Sequence, residues 1–173
     1  MAAPSLELIA SILAVALFSA AMIYAALRDV LTLSIPDGLI LMLVAGWLLL
    51  APAAGLTAQA MALSLGAAAM VFFATVAVHA LGWTGGSSMR LATAATLWLG
   101  GEQAGPFLAT TLLIGGLAGL VLYTLRSVSL PGRLAGQAWL VRLQSGPAGV
   151  PHALAIGLAA LLTLPATDWA GAL

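Results

Sequence analysis

The chain has 173 residues, of which 63% are hydrophobic and 6% charged; five arginines balance five acidic residues, and there is no lysine and no cysteine. With a mean hydropathy of +1.16, this is the composition of a membrane protein and not of a soluble core. It excludes a basic field for nucleic acid, and the lack of cysteine excludes a disulfide framework, a thiolate metal site and a cysteine nucleophile.

Met1 to Leu8 carries Glu7 and no cation, so the positively charged start of a secretory signal is missing and the first apolar segment is expected to be retained. Apolar stretches then run about Leu8 to Leu27, Gly38 to Ala54, Ala58 to Leu81, Met89 to Gly100, Phe107 to Leu125 and Val150 to Leu164. The expectation is one all-α integral membrane domain over residues 1–173 with six transmembrane helices. The first, third and fifth stretches are comfortable spans at about 20 residues each. The fourth is short: a dozen residues give only about 18 Å. It must begin deep, with the Gly85 to Ser88 segment dipping into the membrane, or lean on interfacial flanks.

Arg28, Arg90, Arg126, Arg133 and Arg142 all follow the first, third and fifth stretches. Positive loops stay in the cytoplasm, so both termini are expected outside. The longest loop, Arg126 to Val150, holds Pro131, Gly132, Gly146 and Pro147 around a stretch in which Arg133, Gln137 and Arg142 alternate with Leu134, Trp139, Leu140 and Leu143. That pattern suits a short helix in the headgroup plane, or a packed surface helix. Gly115 and Gly119 form a small-xxx-small pair suited to close helix packing. Trp47, Trp83, Trp98, Trp139 and Trp169 read as interfacial anchors, and Glu102 and Asp168 as solvated charges.

The chain is organised around Trp83-Thr84-Gly85-Gly86-Ser87-Ser88-Met89-Arg90-Leu91. Irregular backbone between membrane helices survives only at an interface, inside protein or along a wet cavity, so this glycine and hydroxyl cluster is either a turn or a site. Asp29 directly follows the first stretch. An ionisable residue there pairs with Arg28, caps the interface or performs chemistry. Pro36 fits the first turn of the second helix, and Asp37 complements that helix's positive end.

The topology brings Asp29 and the Gly85 to Met89 segment to one rim. An aspartic peptidase would use such an arrangement, with two carboxylates sharing a proton, but only one carboxylate is present. Ser87 or Ser88 with His79 or His152 would be the pair a serine-type membrane protease needs, although the Gly-x-Ser-Gly context of rhomboids is absent. No His, Asp and Glu group has metal-ligand spacing, so neither metal nor cofactor is expected.

Asp29 with Ile35-Pro36-Asp37, then Gly85-Gly86-Ser87-Ser88-Met89-Arg90-Leu91, and late in the chain Val150-Pro151-His152-Ala153-Leu154-Ala155-Ile156-Gly157 together resemble the prepilin peptidases, above all the short members that serve Flp-type, tight-adherence pili. In that family the second catalytic aspartate stands in Gly-x-Gly-Asp, followed by a hydrophobic residue, a cation and leucine. By register Gly85 and Gly86 match the glycines, Arg90 and Leu91 match the cation and leucine, Ser87 sits where the last glycine belongs, and Ser88 takes the place of the aspartate. A serine hydroxyl cannot share a proton with Asp29 as a carboxylate would.

The resemblance implies a multi-pass protein of the bacterial inner membrane and an aspartic endopeptidase activity disabled at position 88. It implies catalytic residues Asp29 and residue 88, with Gly85, Gly86, Ser87 and Arg90 forming the loop around the substrate. The substrate would be a pilin precursor whose basic leader ends in glycine before a hydrophobic helix, cut at the cytoplasmic face. Without cysteines, the methyltransferase part of the larger members is not expected. Ser88 is compatible with a deliberate replacement or with a natural homologue that has lost catalysis, and the intact surroundings favour the first. The competing reading is an inactive homologue that still binds pilin precursors or a pilus assembly partner. A transporter is poorly supported, because there is no inverted repeat and no charge near the middle of any span.

Overall fold

The computed structural model describes residues 5–81, 86–127, 137–145 and 151–171, and these are helical throughout apart from short connections. The helices are α1 (Leu6–Thr32), α2 (Asp37–Ala53), α3 (Ala58–Ala80), α4 (Gly86–Leu99), α5 (Ala104–Arg126), α6 (Ala138–Ser145), α7 (His152–Thr163, continued by a 3-10 turn Leu164–Ala166) and α8 (Asp168–Gly171). Helices α1, α3 and α5 are long and apolar enough to cross a bilayer.

Local chemistry sets these boundaries. The Ser5 and Thr57 side chains accept from the Leu8 and Ala60 amides at 3.2 and 3.1 Å, capping α1 and α3. Pro36 stands one residue outside α2, in an extended conformation, and not in its first turn. Gly100 ends α4 with φ +87°, a left-handed conformation that glycine adopts without steric cost.

The two short central helices, α4 and α7, form the middle of the bundle. Leu91, Ala92 and 94–99 of α4 are buried, as are Ala153, Ala155, Ile156, Ala159 and Ala160 of α7. Helices α3 and α5 lie outside them and expose Phe73, Leu112, Leu113, Leu117 and Leu120. This explains the short fourth stretch. A helix walled by protein need not match the hydrocarbon thickness that a lipid-facing helix must span, and α4 at 14 residues rises only about 20 Å.

Close approach in the centre depends on small residues. A Cβ on Gly157 would sit 2.9 Å from the Met22 carbonyl oxygen and 3.2 Å from the Ala26 Cβ, so α7 lies directly against the backbone of α1. Gly115 brings α5 to α7 in the same way, with ordinary contact to Ala155 at 3.7 Å.

Three tryptophans depart from the sequence expectation. Trp47, Trp98 and Trp169 are fully buried and are not interfacial anchors. The Trp98 indole N–H donates to the Leu43 carbonyl at 2.9 Å and that of Trp169 to the Trp98 carbonyl at 2.7 Å. Phe18 and Trp169 flank the Trp98 ring at 5.4 and 5.2 Å between centroids. Trp98 and Trp169 thus fill the interior with their indole N–H groups satisfied, whereas the buried Trp47 Nε1 has no hydrogen-bond partner among the described residues. Trp139, on α6, is exposed; Trp83 lies outside the described residues.

Helix α6 packs on the end of α5. Arg126 Nε donates to the Leu143 carbonyl at 3.2 Å and Gln144 Nε2 to the Leu125 carbonyl at 3.3 Å, with Leu143 buried.

Candidate functional site

Asp29 is the last member of the stripe that α1 turns inward. Ala14, Phe18, Ala21, Met22, Ala25 and Ala26 precede it at spacings of three and four, which places all of them on one helical face. Asp29 is therefore inside the helix and 4% exposed, not beyond the helix end. Its neighbour Arg28 faces outward and donates to the Tyr24 hydroxyl at 3.0 Å. A one-residue step separates a solvent-side cation from a core carboxylate, and the Arg28 pairing weighed from sequence is not the one found.

The partner of Asp29 comes from α7. The Ala153 amide donates to Asp29 Oδ2 at 2.7 Å. Pro151 precedes α7 and has no N–H to offer, so the helix presents its first free amides to the carboxylate, where the helix dipole also favours negative charge. The packing of Gly157 against Met22, one turn further along, fixes this alignment. On the other side of Asp29 the backbone is strained. Leu33 closes α1 with φ +53° and donates its N–H to the Asp29 carbonyl at 2.8 Å, a left-handed conformation that costs about 1–2 kcal/mol for a non-glycine residue. Such strain collects at functional sites.

Ser87 and Ser88 lie in the first turn of α4, not in a loop; Gly85 is outside the described residues, and Gly86 is the first residue of the helix. Helical spacing splits this segment between two faces. Ser88, Met89 and Ala92 line an apolar cleft of about 350 Å3 between α3, α4, α5 and α7, together with Val78, Thr111, His152 and Ile156. Arg90 and Thr93 turn the other way, towards Ile40, Val44 and Phe72, and Arg90 pairs with Asp37 at 2.6 Å in an exposed ion pair. Arg90 thus ties the starts of α2 and α4 together and does not line the cleft that holds Ser88.

His152 and Ala153 connect the two parts of the site. Ala153 holds Asp29, while the preceding His152 shares the cleft with Ser88. His79 is exposed on α3 and does not line that cleft. Sequence paired His152 only with Ser87 or Ser88 and gave Ala153 no role beside Asp29; the signal for that placement was the Pro151 that precedes a helix start, where amides point outward without partners.

The site is recessed. Gly115 of α5 is level with Ala155 of α7, and α5 continues eleven residues to Arg126, so His152 lies roughly 12 Å inside the end of α5 at 1.5 Å per residue. Asp29 and Asp37 are the carboxylates at this end. Glu7, Glu102 and Asp168 belong to the opposite end, where the last two flank a cleft of about 80 Å3. Among the described residues no group of three metal-ligating side chains assembles.

No family model, curated protein or solved structure matches the chain.

Proposed function

We propose that the chain is a prepilin leader peptidase scaffold. It has six membrane segments, both termini outside and the Asp29 end at the cytoplasmic face of a bacterial inner membrane. The observation that supports this most is the buried Asp29, held at 2.7 Å by the Ala153 amide beside a cleft lined by Ser88. A carboxylate in such a place is expensive unless it pairs or performs chemistry. The cleft suits the apolar helix of a precursor, and its Ser88 and His152 end is where the scissile bond would lie.

In this reading Asp29 is one carboxylate of an aspartic dyad, and residue 88 occupies the position of the other. The dyad attacks through an activated water with no covalent intermediate. Ser88 removes that two-carboxylate route, and binding of the precursor is what this reading leaves to the chain. The second reading, an inactive homologue that holds pilin precursors or assembly partners, is favoured by the same serine.

The test is processing of a Flp-type prepilin in membranes carrying a Ser87→Gly/Ser88→Asp revertant, with and without Asp29→Asn. The proposal expects the revertant to shorten the precursor and Asp29→Asn to stop it. A revertant that neither cleaves nor retains the precursor would refute the scaffold reading.

A further inference from the structure

We propose that His152 is the second acid–base group of this site, forming with Asp29 a pair that hydrolyses the peptide bond where residue 88 no longer supplies a carboxylate. The inference rests on the leader peptidase reading of the cleft, and it makes the unmodified chain a slow enzyme and not an empty one.

Placement carries the argument. The amide that holds Asp29 at 2.7 Å belongs to the residue directly after His152, so the two groups enter the site at one helix start. His152 lines the cleft beside Ser88 and Met89, and the residue that follows it holds the Asp29 carboxylate. Other charges nearby are engaged elsewhere. Arg28 of α1 donates to Tyr24, Asp37 of α2 pairs with Arg90 of α4 on the far face of that helix, and Arg126 of α5 donates to the Leu143 carbonyl. Among the described residues lining the cleft, His152 is the titratable one.

The step balances without a co-reactant. Asp29 takes a proton from water as the water oxygen bonds to the scissile carbonyl carbon. The protonated imidazole of His152 gives its proton to the amide nitrogen as the carbon–nitrogen bond breaks. The products are a carboxylic acid and an amine, and passage of the proton from Asp29 to His152 through water restores the pair.

The test measures cleavage of the same precursor in membranes by the unmodified chain and by Ser88→Ala, Asp29→Asn, His152→Ala, Ser88→Asp and Ser88→Asp/His152→Ala. The expected result is slow cleavage by the unmodified chain, with a loss of about 100-fold or more in Asp29→Asn and His152→Ala and a smaller loss in Ser88→Ala, whose hydroxyl lines the cleft. Ser88→Asp/His152→Ala should regain cleavage, which a merely misfolded His152→Ala could not. Cleavage by Ser88→Asp but not by the unmodified chain would overturn the inference and leave the scaffold reading standing. A loss in Ser88→Ala as large as that in His152→Ala would overturn it in favour of a serine nucleophile. If no variant cleaves, the inference falls, and the scaffold reading falls with it if the Ser88→Asp form also fails to retain the precursor.

Discussion

Replacing Gly157 by alanine tests whether the contact of α7 with α1 controls the site. The new Cβ would lie 2.9 Å from the Met22 carbonyl oxygen and 3.2 Å from the Ala26 Cβ. The first of these is backbone inside a helix, so relief requires α7 to move by several tenths of an ångström. Overpacking of this kind costs about 1–3 kcal/mol, while the exchange of glycine for alanine in a helix interior returns about 1 kcal/mol. The net expectation is destabilisation of up to about 2 kcal/mol, from the difference of those two contributions. Gly116→Ala supplies the control, because its Cβ meets nothing within 4 Å; there propensity acts alone, and a gain of about 0.5–1 kcal/mol is expected. Reversible unfolding of both variants in detergent micelles would measure the difference. If Gly157→Ala gained stability as Gly116→Ala does, α7 would not be seated against the α1 backbone as described. Because Ala153 is one turn from Gly157, the same variant should also weaken cleavage by a Ser87→Gly/Ser88→Asp form by about tenfold, for a hydrogen bond worth about 1.5 kcal/mol to a charged group.

Trp98→Phe keeps the stack with Phe18 and Trp169 but leaves the buried Leu43 carbonyl without its indole donor, so a loss of about 1–3 kcal/mol in unfolding free energy is expected. Arg90→Ala breaks an exposed pair with Asp37, and stability measured the same way should change by less than about 1 kcal/mol. Because the chain has no cysteine, single Ser127→Cys and Glu102→Cys variants can be probed with a membrane-impermeant thiol reagent in intact cells. Labelling of Glu102→Cys alone is expected, and labelling of Ser127→Cys alone would reverse the proposed orientation.

The sequence is most legible where one face meets lipid. The six apolar stretches correspond to α1 to α5 and α7, with ends displaced by a few residues, because hydropathy reads the cost of placing polar groups in hydrocarbon. It is less legible where helices meet one another. Trp47, Trp98 and Trp169 suit an interfacial belt by composition, yet their surroundings are set by which helices converge, and that information is absent from any single stretch. The grouping of Asp29 with Ser88 at one end followed from the alternation of arginine loops, whereas the Ala153 amide that holds Asp29 depends on how α7 seats against α1. Arg90 shows the same limit: its place in the motif suggested the substrate, and helical spacing from Ser88 turns it to Asp37.

The cost of Asp29 itself separates a working site from a structural one. A carboxylate that is 4% exposed gives up much of its hydration, and one hydrogen bond from Ala153 restores part of it. Desolvation of a buried charge exceeds what one hydrogen bond to it returns, which is about 1.5–3 kcal/mol. If the charge of Asp29 served to fasten α7 to α1 at the start of that helix, a neutral isostere would lose the charge-assisted part of that fastening and stability with it. If it is kept for chemistry, Asp29→Asn should leave the fold as stable as before or raise it by about 1 kcal/mol, since an amide oxygen can still accept from Ala153 while the desolvated charge is gone. Cleavage by the Ser87→Gly/Ser88→Asp form carrying this change should meanwhile vanish. Unfolding in micelles and precursor processing on the same preparation read the two quantities independently. Stability lost by more than about 2 kcal/mol with processing intact would make Asp29 a structural clasp and would remove the main support for the peptidase reading.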